Sequence, residues 1–171
     1  MSTIKKKRLL AVSSGGGHWV QLQRVRKAFD GCDVSWATVR EEYRIDLEDQ
    51  SERFFVIPDA TRWNKFGLVV LLFRIMVVIL RVRPHAIVTT GAAPGLLALM
   101  LGRILGCRTC WIDSIANMEE ISLSGRKARR WASLWLTQWE HLSCEGGPEY
   151  HGSVLQNFCT NELPVRKGDS K

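Results

Sequence analysis

Three consecutive glycines followed by a histidine, Ser13-Ser14-Gly15-Gly16-Gly17-His18, are the residues of this chain best suited to chemistry. Glycines tolerate positive φ and let a ligand approach backbone N–H groups closely. A helix starting at His18 would turn its positive end toward an anion held there. The histidine can then act as a general base or as a phosphate ligand. The loop is not a dinucleotide fingerprint, because Val20 stands where Gly15-x-Gly17-x-x would need its third glycine. Nor is it a P-loop, since no Gly-Lys-Ser/Thr follows.

A second small-residue stretch, Thr89-Thr90-Gly91-Ala92-Ala93-Pro94-Gly95, has the same form. Two such loops at one sheet edge would cradle a pyrophosphate through Ser14, Gly15, Gly16, Gly17, Thr90, Gly91 and Gly95; a turn for tight packing is the plainer alternative. Asp113-Ser114 closes another apolar run. A carboxylate there would face the same cleft and orient a hydroxyl or take its proton, with an N-cap role as the alternative. His18 is the first choice of base and Asp113 the second, with Ser114 beside them as an acceptor-binding residue.

The elements that must position these groups follow from periodicity. Arg8–Ser13 reads as a buried first strand, and His18–Phe29 as a helix with apolar residues at Trp19, Leu22, Val25, Ala28 and Phe29. Further strands are expected at Asp33–Thr38, Phe54–Ile57, Ala86–Thr90 and Thr109–Asp113, with a sixth at Leu134–Gln138. Trp131, Trp135 and Trp139 compete with that sixth strand, because every-fourth spacing would stack them on one side of a helix. Strands alternating with helices predict an α/β fold, a doubly wound, mostly parallel Rossmann-like sheet. Pro94 suits the first position of a helix running to Leu105, which is either a core helix or a second lipid-facing element.

The stretch Phe66–Leu80 has Arg74 as its only charge, and Gly67, Arg74 and Arg81 mark a narrow polar line on an otherwise apolar helix. At about 22 Å it is too short to span a bilayer. Its outer face needs a cover other than water, either a partner or a membrane surface. The flanking Arg62, Trp63, Lys65, Arg81 and Arg83 favour a membrane, with Phe66, Leu72 and Phe73 inserted; burial against another helix is the alternative. The Ser124–Arg130 cluster is a second basic patch, to meet acidic lipid or a lipid-linked pyrophosphate, with a solvated helix face as the alternative.

At 171 residues with 46% hydrophobic content the chain suits one domain with a full core, expected over 1–160 with a polar tail at 161–171. A net charge of +7 favours an anionic partner. Nucleic acid is not expected, because the tryptophans do not interleave with Lys/Arg on a strand face. The five cysteines, Cys32, Cys107, Cys110, Cys144 and Cys159, follow no secretory leader, which points to a reducing compartment. Cys107 and Cys110 lack a second metal-ligating pair, and Cys110 sits in an apolar run, so they read as core residues.

Taken in order, Ser14–His18, Thr90–Gly95, Trp111–Ser114, Ser122–Gly125, Gln138–Glu140 and Tyr150–Leu155 resemble the Alg14-like proteins of oligosaccharide and exopolysaccharide assembly, including the bacterial PssD-type subunits. The similarity runs over Arg8–Leu155. It implies the N-terminal, acceptor half of a GT-B glycosyltransferase, with an Alg13-like or PssE-like chain supplying the nucleotide-sugar half. It also implies an inverting, metal-free transfer without a bound cofactor, onto a polyprenyl-diphosphate-linked acceptor at the cytoplasmic membrane face. Gly15, Gly16, Gly17 and His18 match the family's loop. Asp113-Ser114 falls where Glu-Ser is more frequent, and Asn117 where Arg is frequent. Eukaryotic members begin with a membrane-spanning segment; here Phe66–Leu80 is expected to dock the protein instead. Two other readings are a non-catalytic membrane recruiter of the catalytic partner and a stand-alone nucleotide-binding enzyme.

Overall fold

The computed structural model describes residues 6–60 and 63–155. It confirms a doubly wound α/β architecture. Seven strands, β1 (Arg8–Val12), β2 (Asp33–Thr38), β3 (Arg53–Val56), β4 (Ala86–Thr89), β5 (Arg108–Ile112), β6 (Leu134–Thr137) and β7 (Glu149–Tyr150), form one sheet in the order β3-β2-β1-β4-β5-β6-β7. All six pairings are parallel. The chain winds outward from β1 in one direction and from β4 in the other. The strand order therefore switches between β1 and β4, where Leu9–Val12 lie beside Ala86–Thr89.

Alternation along each strand divides the core. Leu10, Val12, Ala37, Ile87 and Trp111 face one side, under α2 (Lys65–Val82), α3 (Ala92–Ile104) and α4 (Leu123–Ala128). Leu9, Ala11, Trp36, Val88 and Ile112 face the other, where α1 (Gly17–Arg24) contributes Trp19 and Leu22. On this second face an apolar groove lies along Val88, Cys110, Ile112, Leu134 and Leu136.

Several boundaries differ from the sequence expectation. The helix expected over His18–Phe29 ends at Arg24, and a 3₁₀ turn at Arg26–Phe29 follows. The tighter turn brings Phe29 against Trp36, with ring centroids 6.1 Å apart. The Leu134 segment is a strand, with Trp135 in register with Trp111, so the three tryptophans do not form a helical stripe. α3 begins two residues before Pro94, which costs nothing because a first-turn N–H has no intrahelical partner. That helix is core, with Ala98, Leu99, Leu101 and Gly102 buried and only its end, at Ile104 and Leu105, open to solvent. β7 had no counterpart in the expectation, because two residues carry no periodicity. Arg62, Cys159 and the tail expected at 161–171 lie outside the described residues.

Candidate functional site

A cavity of about 510 Å³ opens at the C-terminal edge of the sheet, above the switch point. Its wall is built from the loops after four strands. β1 contributes Ser14, Gly15, Gly16 and His18, and β2 contributes Val39 and Arg40. Asp59 and Ala60 follow β3, Ala92, Ala93 and Pro94 follow β4, and Ser124 comes from α4. The N-termini of α1 and α3 converge on it. Their unsatisfied N–H groups and dipoles make the cavity favourable for an anion. Arg40 is exposed at its rim, and no ion pair is formed by it among the described residues.

The glycine loop works through backbone geometry. Gly16 takes φ +64°, and a Cβ on Gly15 would come within 3.1 Å of the Tyr43 hydroxyl. Gly91 takes φ +131°, and a Cβ there would meet His18 Cε1 at 2.7 Å. The adjacent Ala92 also has positive φ, +62°, which is strained for a residue with a side chain.

His18 is held from behind. Its Nδ1 lies 2.8 Å from the Thr90 carbonyl oxygen. A carbonyl can only accept, so Nδ1 carries the proton and Nε2 of the neutral ring keeps its lone pair. Thr90 Oγ1 in turn donates to the His18 carbonyl at 2.6 Å. Half-buried on the cavity wall, His18 therefore presents an oriented proton acceptor.

The remaining sequence candidates divide. Ser14, Gly15 and Gly16 line the cavity with His18; Gly17 is exposed as the first residue of α1. Thr90 is fully buried and acts on His18 rather than facing the cavity. Gly91 sits under the imidazole. Gly95 does not face the cavity either: it is buried in α3, where a Cβ would overlap Thr89 Oγ1, so its role is close packing of helix on strand.

Asp113 departs furthest from its expected role as an alternative base. It is 2% exposed, and its carboxylate accepts Trp111 Nε1–H at 3.1 Å, Asn117 Nδ2–H at 3.3 Å, and both the backbone N–H and hydroxyl of Ser122 at 3.0 and 2.6 Å. A carboxylate saturated with donors and closed to solvent is built to hold a loop, not to meet a substrate. Ser122 caps α4 through Gly125 N–H, and α4 carries Ser124 to the cavity. Ser114, half-buried, accepts Ala116 N–H within its own loop and does not line the cavity.

Sequence reasoning missed Arg40 and Asp59 and placed Ser124 in the basic cluster rather than on the cavity wall. Arg40 lies two residues past β2 and Asp59 three past β3, and strand C-terminal ends define such a cleft. That positional signal was available even though neither loop carries a glycine run.

The outer face of α2 is apolar and bare. Phe66 is 80% exposed, Val69 63%, Phe73 68% and Leu80 57%, with Leu72 and Val77 beside them; the inner face buries Leu71, Ile75, Val78, Ile79 and Val82. Among the described residues the helix is thus not enclosed between sheet and neighbour. Trp63 is 80% exposed just ahead of it, and Lys65, Arg74 and Arg81 are exposed along it. Among the described residues no helix is long and apolar enough to cross a membrane.

Neither the family models nor the curated proteins give a match to this sequence. Solved structures do. MurG from Acinetobacter baumannii superposes with a TM-score of 0.68 at 18% identity, covering 84% of this chain and 45% of that one. The fold is that of one half of a GT-B enzyme. UDP-N-acetylglucosamine 2-epimerase from Rickettsia bellii gives 0.65 at 13% identity, covering 90% and 48%. UDP-GlcNAc 2-epimerase from Methanocaldococcus jannaschii gives 0.58 at 14%, covering 76% and 39%. This chain spans less than half the length of each of these chains.

Proposed function

We propose that this chain is the acceptor-binding subunit of a two-chain inverting glycosyltransferase, of the Alg14-like or PssD type, acting at the cytoplasmic face of a membrane. A partner of the Alg13-like or PssE-like kind would hold the nucleotide sugar. The acceptor would be a sugar on a polyprenyl diphosphate. The observation that carries this is the cavity at the sheet switch point, where two helix N-termini meet an oriented His18 Nε2. The fold it shares with part of MurG agrees with this reading. So does the bare apolar face of α2, which gives the protein a means to reach a lipid-linked acceptor.

The chemistry is one displacement at the anomeric carbon. The acceptor hydroxyl oxygen forms the new C–O bond, the bond to the nucleotide phosphate breaks, and the electron pair leaves with the nucleoside diphosphate. The hydroxyl proton passes to His18 Nε2, while Nδ1–H stays on the Thr90 carbonyl, which stabilises the imidazolium that forms. The N–H groups of Gly15, Gly17, His18, Ala92 and Ala93 would hold the acceptor's diphosphate. The mechanism requires neither a metal nor a cofactor.

The test is reconstitution. The chain is expressed with and without a PssE-like partner, and transfer from a nucleotide sugar to a polyprenyl-diphosphate acceptor is measured in vesicles. Transfer only with both chains is the expected result. Transfer by this chain alone would place the donor site here and overturn the division of labour.

A further inference from the structure

The glycine loop is tied at Ser14 by the Thr38 hydroxyl and at His18 by Thr90, while a Cβ on Gly16 would meet nothing within 4 Å. Gly16 itself is anchored from the segment after β2, where residues Glu41–Asp46 form a 3₁₀ turn. The Tyr43 hydroxyl accepts the Gly16 N–H at 2.8 Å. The Tyr43 ring stacks on Trp19, the third residue of α1, with centroids 5.3 Å apart and planes within 10°. Trp19 Nε1–H donates to Asp46 at 2.7 Å, which closes the turn back onto the same helix. A Cβ on Gly15 would come within 3.1 Å of the Tyr43 hydroxyl and 3.3 Å of Val39 Cγ2, so any side chain there has to push one of them aside by a few tenths of an ångström.

We propose that Tyr43 is the positioning residue of the anion cavity. By occupying the Gly16 N–H, it fixes the loop so that the amides of Gly15, Gly17 and His18 are the ones left for a ligand phosphate. This rests on the acceptor-diphosphate reading of the cavity and names the side chain that makes the cavity selective for that group. The phenol acts through the loop; it is absent from the cavity wall itself.

The experiment uses the full chain and its Tyr43→Phe variant, which keeps the ring on Trp19 and removes only the hydroxyl. Amide hydrogen exchange by NMR reads the loop, with the Leu22 and Val12 amides as reporters of the whole fold. Inorganic pyrophosphate is the binding probe. In Tyr43→Phe, exchange at Gly16 should rise about fivefold or more, as expected for one lost hydrogen bond, with Leu22 and Val12 unchanged. Pyrophosphate affinity should fall by a similar factor. Equal Gly16 exchange in the two proteins would overturn the proposal. So would a faster Gly16 amide with unchanged pyrophosphate affinity, or an unprotected Gly16 amide in the wild type, a measurement that needs no variant. A protected Gly16 released by Tyr43→Phe, in a wild type that binds no pyrophosphate, would uphold Tyr43 as the loop's anchor and overturn the acceptor-diphosphate reading instead.

Discussion

His18 and Thr90 exchange hydrogen bonds in both directions, ring Nδ1–H to carbonyl at 2.8 Å and hydroxyl to carbonyl at 2.6 Å, and so join the loop after β1 to the loop after β4. The pair spans the switch point, and through it the two halves of the sheet set one imidazole. Removing the ring should remove the base without removing the site. His18→Ala should lower kcat by about 10²–10⁴-fold, the usual share of a general base. Vesicle binding and association with the partner should persist. Unchanged turnover would end the base assignment and favour the recruiter reading.

The support behind the ring is open to its own test. Thr90→Val keeps the shape and deletes the hydroxyl donor. It should cost about 1 kcal/mol in a chemical melt and lower kcat several-fold with acceptor KM nearly constant. Gly91→Ala is more severe, because the backbone at φ +131° disfavours any side chain and the new Cβ would displace the imidazole. Its loss of kcat should approach that of His18→Ala.

Much of this was legible in the residues. The Arg8–Val12 run, the glycines after it and the Ala86–Thr89 run with its small-residue loop announced two parallel strands and a cleft between them, because buried parallel strands are continuously apolar. Periodicity reports only which face of a residue is apolar. It says nothing of whether a carboxylate at a strand end points out or in, so Asp113 stood as second-choice base or N-cap, while the structure buries it as a latch against Ser122. Nor could it find Arg40, Asp59 or Tyr43, which are brought to the cleft or its loop by the order of strands rather than by local pattern.

The latch makes a sharp prediction because a base and a structural acceptor fail differently. Asp113→Ala leaves Ser122 N–H and the Trp111 indole N–H without an acceptor in a closed site. Stability should fall by about 2–4 kcal/mol, with α4 and Ser124 displaced. A variant that melts like the wild type but loses all turnover would return Asp113 to catalysis.

Burial makes a prediction for the cysteines as well. It pushes the Cys110 thiol up to about 12 and raises that of Cys107, whose S–H also donates to the Pro84 carbonyl. The neutral thiol is the favoured form in the fold, so Cys110 forms thiolate only as pH approaches 12. At pH 8 an aromatic disulfide reagent should label the exposed Cys144 rapidly, and the half-buried Cys110 and buried Cys107 far more slowly until the protein unfolds, as read by peptide mass spectrometry.

The outer face of α2 is where the proposed membrane contact stands or falls. Phe66 and Phe73 are seven residues apart and both protrude, so they would enter the interface together while Lys65, Arg74 and Arg81 remain near the phosphates. Phe66→Glu with Phe73→Glu removes apolar area from water-exposed positions and adds two charges that anionic lipid repels. Affinity for vesicles containing phosphatidylglycerol should drop by about 10²-fold or more, with thermal stability unchanged because neither ring packs in the core. Charge reversal at Lys65 and Arg81 alone should weaken binding less and in a salt-dependent way, since the Debye length is about 10 Å at 0.1 M. If the double glutamate variant still sediments with vesicles, the lipid contact lies elsewhere. If it instead loses the partner chain while keeping its lipid affinity, the bare face of α2 is a protein interface.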